Sequence, residues 1–206
     1  MEIALFHVLG RLPEPESTHR FCCEDYSICQ MRRSPRRKER VGPYRLDVVW
    51  PAADDAVKLR VIEFWNRWQA LPANSPEVGI NRANELVLVA QTDDEIAAVS
   101  TVFRSQIDQL GFTCFHYRTF VAPEHRNLHV LSLDLFQASY VVLNERFQAK
   151  ENQDVLGIYL ELQNDGLNRH FKYAVWEAEG MNVVYIGKSP QGHHRRVWYF
   201  DGAMVP

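Results

Sequence analysis

The sequence predicts a mixed α/β fold in which a central β-sheet is flanked by helices. Three observations predict it. Short apolar runs rich in Val, Ile, Phe and Tyr recur at strand length; the apolar spacing changes to the helical period in segments between them; and the resulting order is strand, helix, three strands, helix, strand, helix, two strands. At 206 residues with 46% apolar and 12% aromatic content, the chain can bury one sizeable core.

Tyr44 to Trp50 reads as the first strand. Pro51 and the Asp54-Asp55 pair supply a helix start, with negative charge at the positive end of the dipole. Val57, Val61, Phe64, Trp68 and Leu71 then fall on one face of an amphipathic helix that Pro72 ends. The Pro-, Asn-, Ser- and Gly-rich stretch from Pro72 to Asn84 predicts a loop. Leu86–Ala90 and Ile96–Phe103 predict an antiparallel hairpin, and Phe112–Val121 a further strand that breaks at Ala122-Pro123. From Leu128 to Ala149 two neighbouring apolar stripes predict a central buried helix. Gly157–Leu162 reads as a strand, Asn168–Glu179 as a shorter helix, and Asn182–Ile186 with Arg195–Phe200 as a closing hairpin.

Residues 1–43 have little periodicity and carry the basic run Arg32 to Arg40, which predicts a solvated extension ahead of a single domain over 44–206. The formal net charge of −3 provides no overall field for nucleic acid or an anionic membrane, and a local basic patch in the extension is the one place left for such contacts. No apolar run reaches the roughly 18 residues needed to span a bilayer, and Met1 to Leu9 lacks a basic start and a cleavage site, so a cytoplasmic protein is expected. Cys22, Cys23, Cys29 and Cys114 are irregularly spaced and read as reduced thiols rather than, with His19, as a zinc site.

The element order, with Phe120-Val121-Ala122-Pro123-Glu124-His125-Arg126 leading directly into a long buried helix, resembles the GNAT N-acetyltransferase superfamily over roughly Arg45 to Ala203. The resemblance implies a sheet splayed between Phe112–Val121 and its parallel neighbour Ile158–Leu162, an acyl-coenzyme A co-substrate (acetyl-CoA in the first instance), and no metal. It implies that Thr119, Phe120 and Val121 meet pantetheine through backbone groups, and that Arg126, Asn127, Leu128, His129, Val130 and Leu131 form the turn around the pyrophosphate. Anion capture of this kind uses the unpaired N–H groups at a helix start. Arg126 is kept here, while His129 and Leu131 fill positions that the family gives to small residues.

Val175 to Met181 resembles the end of the family's next helix, with Trp176 where a general-acid tyrosine stands. Indole cannot release a proton, so Tyr173, three residues earlier, is the expected replacement acid. Glu161 lies mid-strand in an apolar run, where a carboxylate must be paired, exposed at an edge, or shifted toward useful base strength; His116 is the alternative base. His193 and His194 are expected on a solvated hairpin. Two functions stay open: transfer of an acyl group to a small-molecule or peptide amine, or binding of acyl-CoA or a protein partner without chemistry. A homodimer built through the closing hairpin is also open.

Overall fold

A computed structural model describes residues 39–71, 76–93, 95–126, 130–163, 168, 172–178 and 180–206, all within the unit Pro35–Pro206. The strands are β1 (Glu39–Val41), β2 (Tyr44–Val48), β3 (Leu86–Gln91), β4 (Ile96–Ile107), β5 (Phe112–Val121), β6 (Val155–Leu162), β7 (Val175–Ala178), β8 (Met181–Lys188) and β9 (His194–Tyr199). They form one sheet in the order β1-β2-β3-β4-β5-β6-β9-β8-β7. The helices are α1 (Asp55–Arg67), α2 (Pro76–Ala83) and α3 (Val130–Gln148), with a single 3₁₀ turn at Pro123–His125. The β5–β6 neighbours are parallel and the other pairs in the sheet are antiparallel. Among the described residues, no helix is long and apolar enough to cross a membrane.

Burial explains the layering. All six residues of β3 are buried, as a strand covered on both faces requires. One face packs on α3 through Leu88, Phe115, Tyr117, Leu135, Leu143 and Ile158. On the other, Phe64 and Trp65 of α1 meet Val89, Val99 and Phe120. Asp54 caps α1 by accepting a 2.8 Å hydrogen bond from the Val57 N–H, the role its position predicts.

The long helix is also fastened to the far end of the sheet. Tyr140 stacks on Trp198 with ring centroids 3.6 Å apart and 6° between planes. Its hydroxyl lies 3.0 Å from the Tyr199 carbonyl oxygen and 3.1 Å from Asp201 Oδ1. One turn on, Asn144 exchanges bonds of 2.8 and 2.9 Å with Asp201, and a further turn on Gln148 donates to the Asp201 carbonyl.

Three expectations are corrected. Glu39–Val41 falls in the stretch read as a linker, yet pairs with β2. The loop expected over Pro72–Asn84 contains α2, with Glu77 in its first turn and Arg82 in its last. Its glycine is there for packing: a Cβ at Gly79 would stand 3.1 Å from Leu71 Cδ1. Within the segment expected as a helix over Asn168–Glu179, Asn168 is helical, whereas Val175–Ala178 form β7, which pairs with β8 through Val175↔Val184 to Ala178↔Met181. Gly180, at φ +83°, supplies the reversal between them, and Val175 and Trp176 suit a strand better than a helix. Cys22, Cys23, Cys29, His19 and Arg32 to Lys38 lie outside the described residues.

Gly157 of β6 lies close against the backbone of its β9 partner Tyr199 and of Trp198. A Cβ there would stand 2.9 Å from Tyr199 Cα and closer still to the Trp198 carbonyl oxygen. Gly157→Ala is therefore expected to cost about 1–3 kcal/mol, read as a lowered urea midpoint with unchanged slope.

Candidate functional site

The β5–β6 ladder is short. Parallel pairing joins Thr113 to Val155, Phe115 to Ile158 and His116 to Tyr159, and does not continue beyond that last pair. Past it, β5 stays with β4 as far as Ala98↔Val121, while β6 stays with β9 as far as Leu162↔His194. The two strands thus part, each held by its outer neighbour, with Tyr117–Val121 on one side and Leu160–Leu162 on the other.

Ladder alternation shows which backbone groups face this gap. The Ala122 N–H bonds to the Ala97 carbonyl at 2.9 Å, so even-numbered residues of β5 serve β4 and the amides and carbonyls of Tyr117, Thr119 and Val121 face away from it. On β6 the Phe200 N–H bonds to the Leu156 carbonyl at 3.0 Å, which leaves the backbone groups of Tyr159 and Glu161 facing β5.

At the apex of the parting, side chains from four strands meet on one face. His116 stacks on Phe103 of β4 at 4.8 Å and meets the Tyr159 ring edge-on at 4.9 Å. The Tyr159 hydroxyl lies 3.3 Å from Glu161 Oε2, and Glu161 Oε1 lies 2.9 Å from His193 Nδ1. Arg195, the β9 register partner of Glu161, approaches it to 3.9 Å.

The Glu161 carboxyl is paired and remains ionised. Burial alone would raise its pKa, but hydrogen bonds from His193 and Ser189 and the charge of Arg195 turn the shift downward. An ionised carboxylate only accepts, so His193 Nδ1 must carry the proton, and in the neutral ring Nε2 is left with the lone pair. The Tyr159 phenol is pushed up to about 12, first of all by burial; the Arg195 charge opposes this, and the Glu161 charge and hydrogen bond add to it.

His116 is held neutral. Burial and then the Arg118 charge lower its pKa to about 4 against an ordinary 6.5, with Glu161 opposing. Between those values the unfolded chain binds more protons than the native one, so His116 lends its full stabilisation above about pH 6.5 and loses it as pH falls toward 4. By pH 4.5 the loss is about 2 kcal/mol. Urea unfolding of the wild type should weaken between pH 7 and 4.5 by about that much more than unfolding of His116→Gln.

The expected coenzyme contacts are distributed along the end of β5. Thr119 is exposed, and its hydroxyl donates to the Val99 carbonyl at 3.1 Å. Phe120 packs edge-on against Phe64 of α1 at 5.6 Å. Arg126 is exposed; its Nε donates to the Val121 carbonyl at 2.9 Å, and its guanidinium stands 5.5 Å from the Phe120 ring centre. Val130 opens α3, and Leu131 is 4% exposed with its side chain in the main core. Asn127, Leu128 and His129 lie outside the described residues.

Tyr173 is not one helical turn from Trp176, because that segment leads into β7. Its side chain is 72% exposed, and its carbonyl accepts a 2.9 Å bond from the buried Arg196. His193, expected to be solvated, instead grips Glu161. Tyr159, His193, Arg195 and Arg118 are the functional candidates that sequence reasoning missed; the apolar run around Tyr159 and the His-His-Arg-Arg cluster were their signals, but nothing local in the sequence pairs them.

The sheet has the arrangement that the resemblance implies: mixed pairing, a parallel β5–β6 pair that parts, and a buried helix that follows β5. Solved structures with a similar fold include the ribosomal-protein-S5-alanine acetyltransferase of Vibrio fischeri, 13% identical with a TM-score of 0.47, over 81% of this chain and 98% of that one. Another is the diaminobutyrate acetyltransferase of Paenibacillus lautus in complex with its substrate and coenzyme A, 16% identical with a TM-score of 0.46, over 79% and 98%. A third is a GNAT-family acetyltransferase of Streptococcus pneumoniae, 11% identical with a TM-score of 0.42, over 76% and 96%. No family model and no curated protein matches the chain.

Proposed function

We propose that the chain is an acyl-CoA-dependent N-acyltransferase that moves an acyl group, acetyl in the first instance, to a primary amine by direct attack. The observation that carries this reading is the parting of β5 and β6 beyond His116↔Tyr159, with strand amides and carbonyls on both sides turned into the gap. A pantetheine arm can lie against Thr119 and Val121 as an added strand, which places its thioester near the apex.

In this reading the amine loses its proton to His193 Nε2, held in the right tautomer by Glu161, and attacks the thioester carbonyl. His116, neutral at physiological pH, is the alternative acceptor, directly or through water. A strand amide facing the gap meets the oxyanion, and the C–S bond then breaks to release the thiolate. For protonating that thiolate Tyr159 is better placed than Tyr173, because its hydroxyl already stands on Glu161. Arg126 takes part in binding the diphosphate, with Asn127 to Leu131 as the proposed remainder of that turn.

A second reading, binding without transfer, has its own support. The Val121 carbonyl, which a coenzyme arm would use, is already bonded to Arg126, and a tryptophan on β7 stands in for the family's tyrosine. Calorimetric titration with acetyl-CoA, followed by thiol release in the presence of an amine panel, separates the two. Binding with amine-dependent thiol release is expected; binding without release supports the second reading, and no binding overturns both.

A further inference from the structure

On the face of the sheet that carries His116, two guanidinium groups lie near a single carboxylate, and one of them is ion-paired with it. Arg118, two residues after His116 on β5 and so on the same side of the strand, is ion-paired with Glu85. Arg82, at the end of α2, has its guanidinium 5.5 Å from the Trp65 ring centre. The Arg118 guanidinium lies 4.4 Å from the centre of the Phe103 ring, which in turn stacks on His116. Thr101, the β4 register partner of Arg118, is 1% exposed.

This group is underpaired. Thr101 Oγ1, Arg82 Nε and Arg118 Nε are each buried atoms with no hydrogen-bond partner among the described residues. Buried polar atoms are satisfied in the great majority of folded proteins, so three beside one another mark a place where a further acceptor belongs. The charge agrees: two cations face one anion, and the Arg82 pKa is brought down to about 10 by burial and then by the Arg118 charge, with Glu85 only partly compensating. A second carboxylate would relieve both deficits, and the planar guanidinium fork suits it.

We infer that Arg82, Arg118 and Thr101 form a recognition site for a carboxylate carried by the acceptor, so that the amine substrate is an amino acid or another amine bearing an acid group. The acceptor part of this inference rests on the acyltransferase reading; the carboxylate site itself does not. Residues two apart on a strand are separated by roughly 6.5–7 Å, which puts such a carboxylate within one small molecule's length of the His116 apex.

Two measurements test it. Calorimetry with glutarate, a carboxylate lacking an amine, should show saturable binding to the wild type, weakened about tenfold or more in Arg82→Gln and in Arg118→Gln, and unchanged in Arg146→Gln on α3. Should either of the first two variants fail to fold, the second measurement, made on wild-type protein alone, decides: glutarate should compete with carboxylate-bearing amines in the thiol-release assay and leave acetyl-CoA binding intact. Equal weakening in all three variants, binding of butylamine as strong as that of glutarate, or no glutarate binding overturns the site. Glutarate binding without any acetyl-CoA binding overturns the acyltransferase reading and keeps the site.

Discussion

Glu161→Gln is expected to lower kcat/KM for amine acylation by about 10²–10³, with the dissociation constant for acetyl-CoA held within about threefold. The reason lies in the bond to His193. A carboxylate can only accept, so it fixes the proton on Nδ1 and leaves Nε2 free to take one from the amine; a carboxamide can donate or accept and fixes neither. The substitution is close to isosteric and leaves the β6–β9 ladder in place, so circular dichroism should be unchanged. His193→Gln should cost a similar factor, and the double variant little more, because the two side chains act as one unit. If Glu161→Gln keeps nearly full rate while His116→Gln loses it, proton removal belongs to His116.

The largest effect on stability is expected at Trp198. Its ring is buried, stacks on Tyr140 at 3.6 Å and meets Phe136 at 5.4 Å. Truncating a buried aromatic costs about 3–5 kcal/mol, a large share of the 5–15 kcal/mol that holds a typical domain together. Trp198→Ala should therefore shift the chemical denaturation midpoint further than Gly157→Ala does. Tyr140→Phe keeps the stack and removes only the hydroxyl bonds to Tyr199 and Asp201, so it should cost about 1–2 kcal/mol. A double-mutant cycle that pairs Tyr140→Ala with Trp198→Ala measures the stacking itself.

Much of the sheet was legible because its signals are local. Gly111 and Pro123 bracket an apolar run that became β5 with the predicted bounds, and the two stripes on α3 were too wide for anything but a buried helix. The parallel neighbour of β5 and the parting of the two strands followed from the family resemblance, not from periodicity. Where the reading failed, short segments were decided by tertiary contacts. Gly79 has loop composition, yet Ile62 of α1 and Leu71 lie against it, and Val175 to Ala178 form a strand because β8 offers them an edge. The site was half legible: alternation places Glu161 and His116 on definite faces, but the approach of His193 to Glu161 spans 32 positions and that of Arg118 to Glu85 spans 33. No pattern along one strand tells which distant residue will sit opposite.

The row Tyr140, Asn144 and Gln148 gives α3 and the end of β9 a common fate. Three successive helical turns hold the backbone or side chains of Tyr199 and Asp201, so neither element can melt while the other keeps its place. Their amide protons should exchange with solvent together, in one cooperative opening that shares a single dependence on denaturant, rather than fraying from β9 inward. Since β9 also carries Arg195 and begins next to His193, the proposed proton-accepting pair is expected to open together with α3 rather than independently of it.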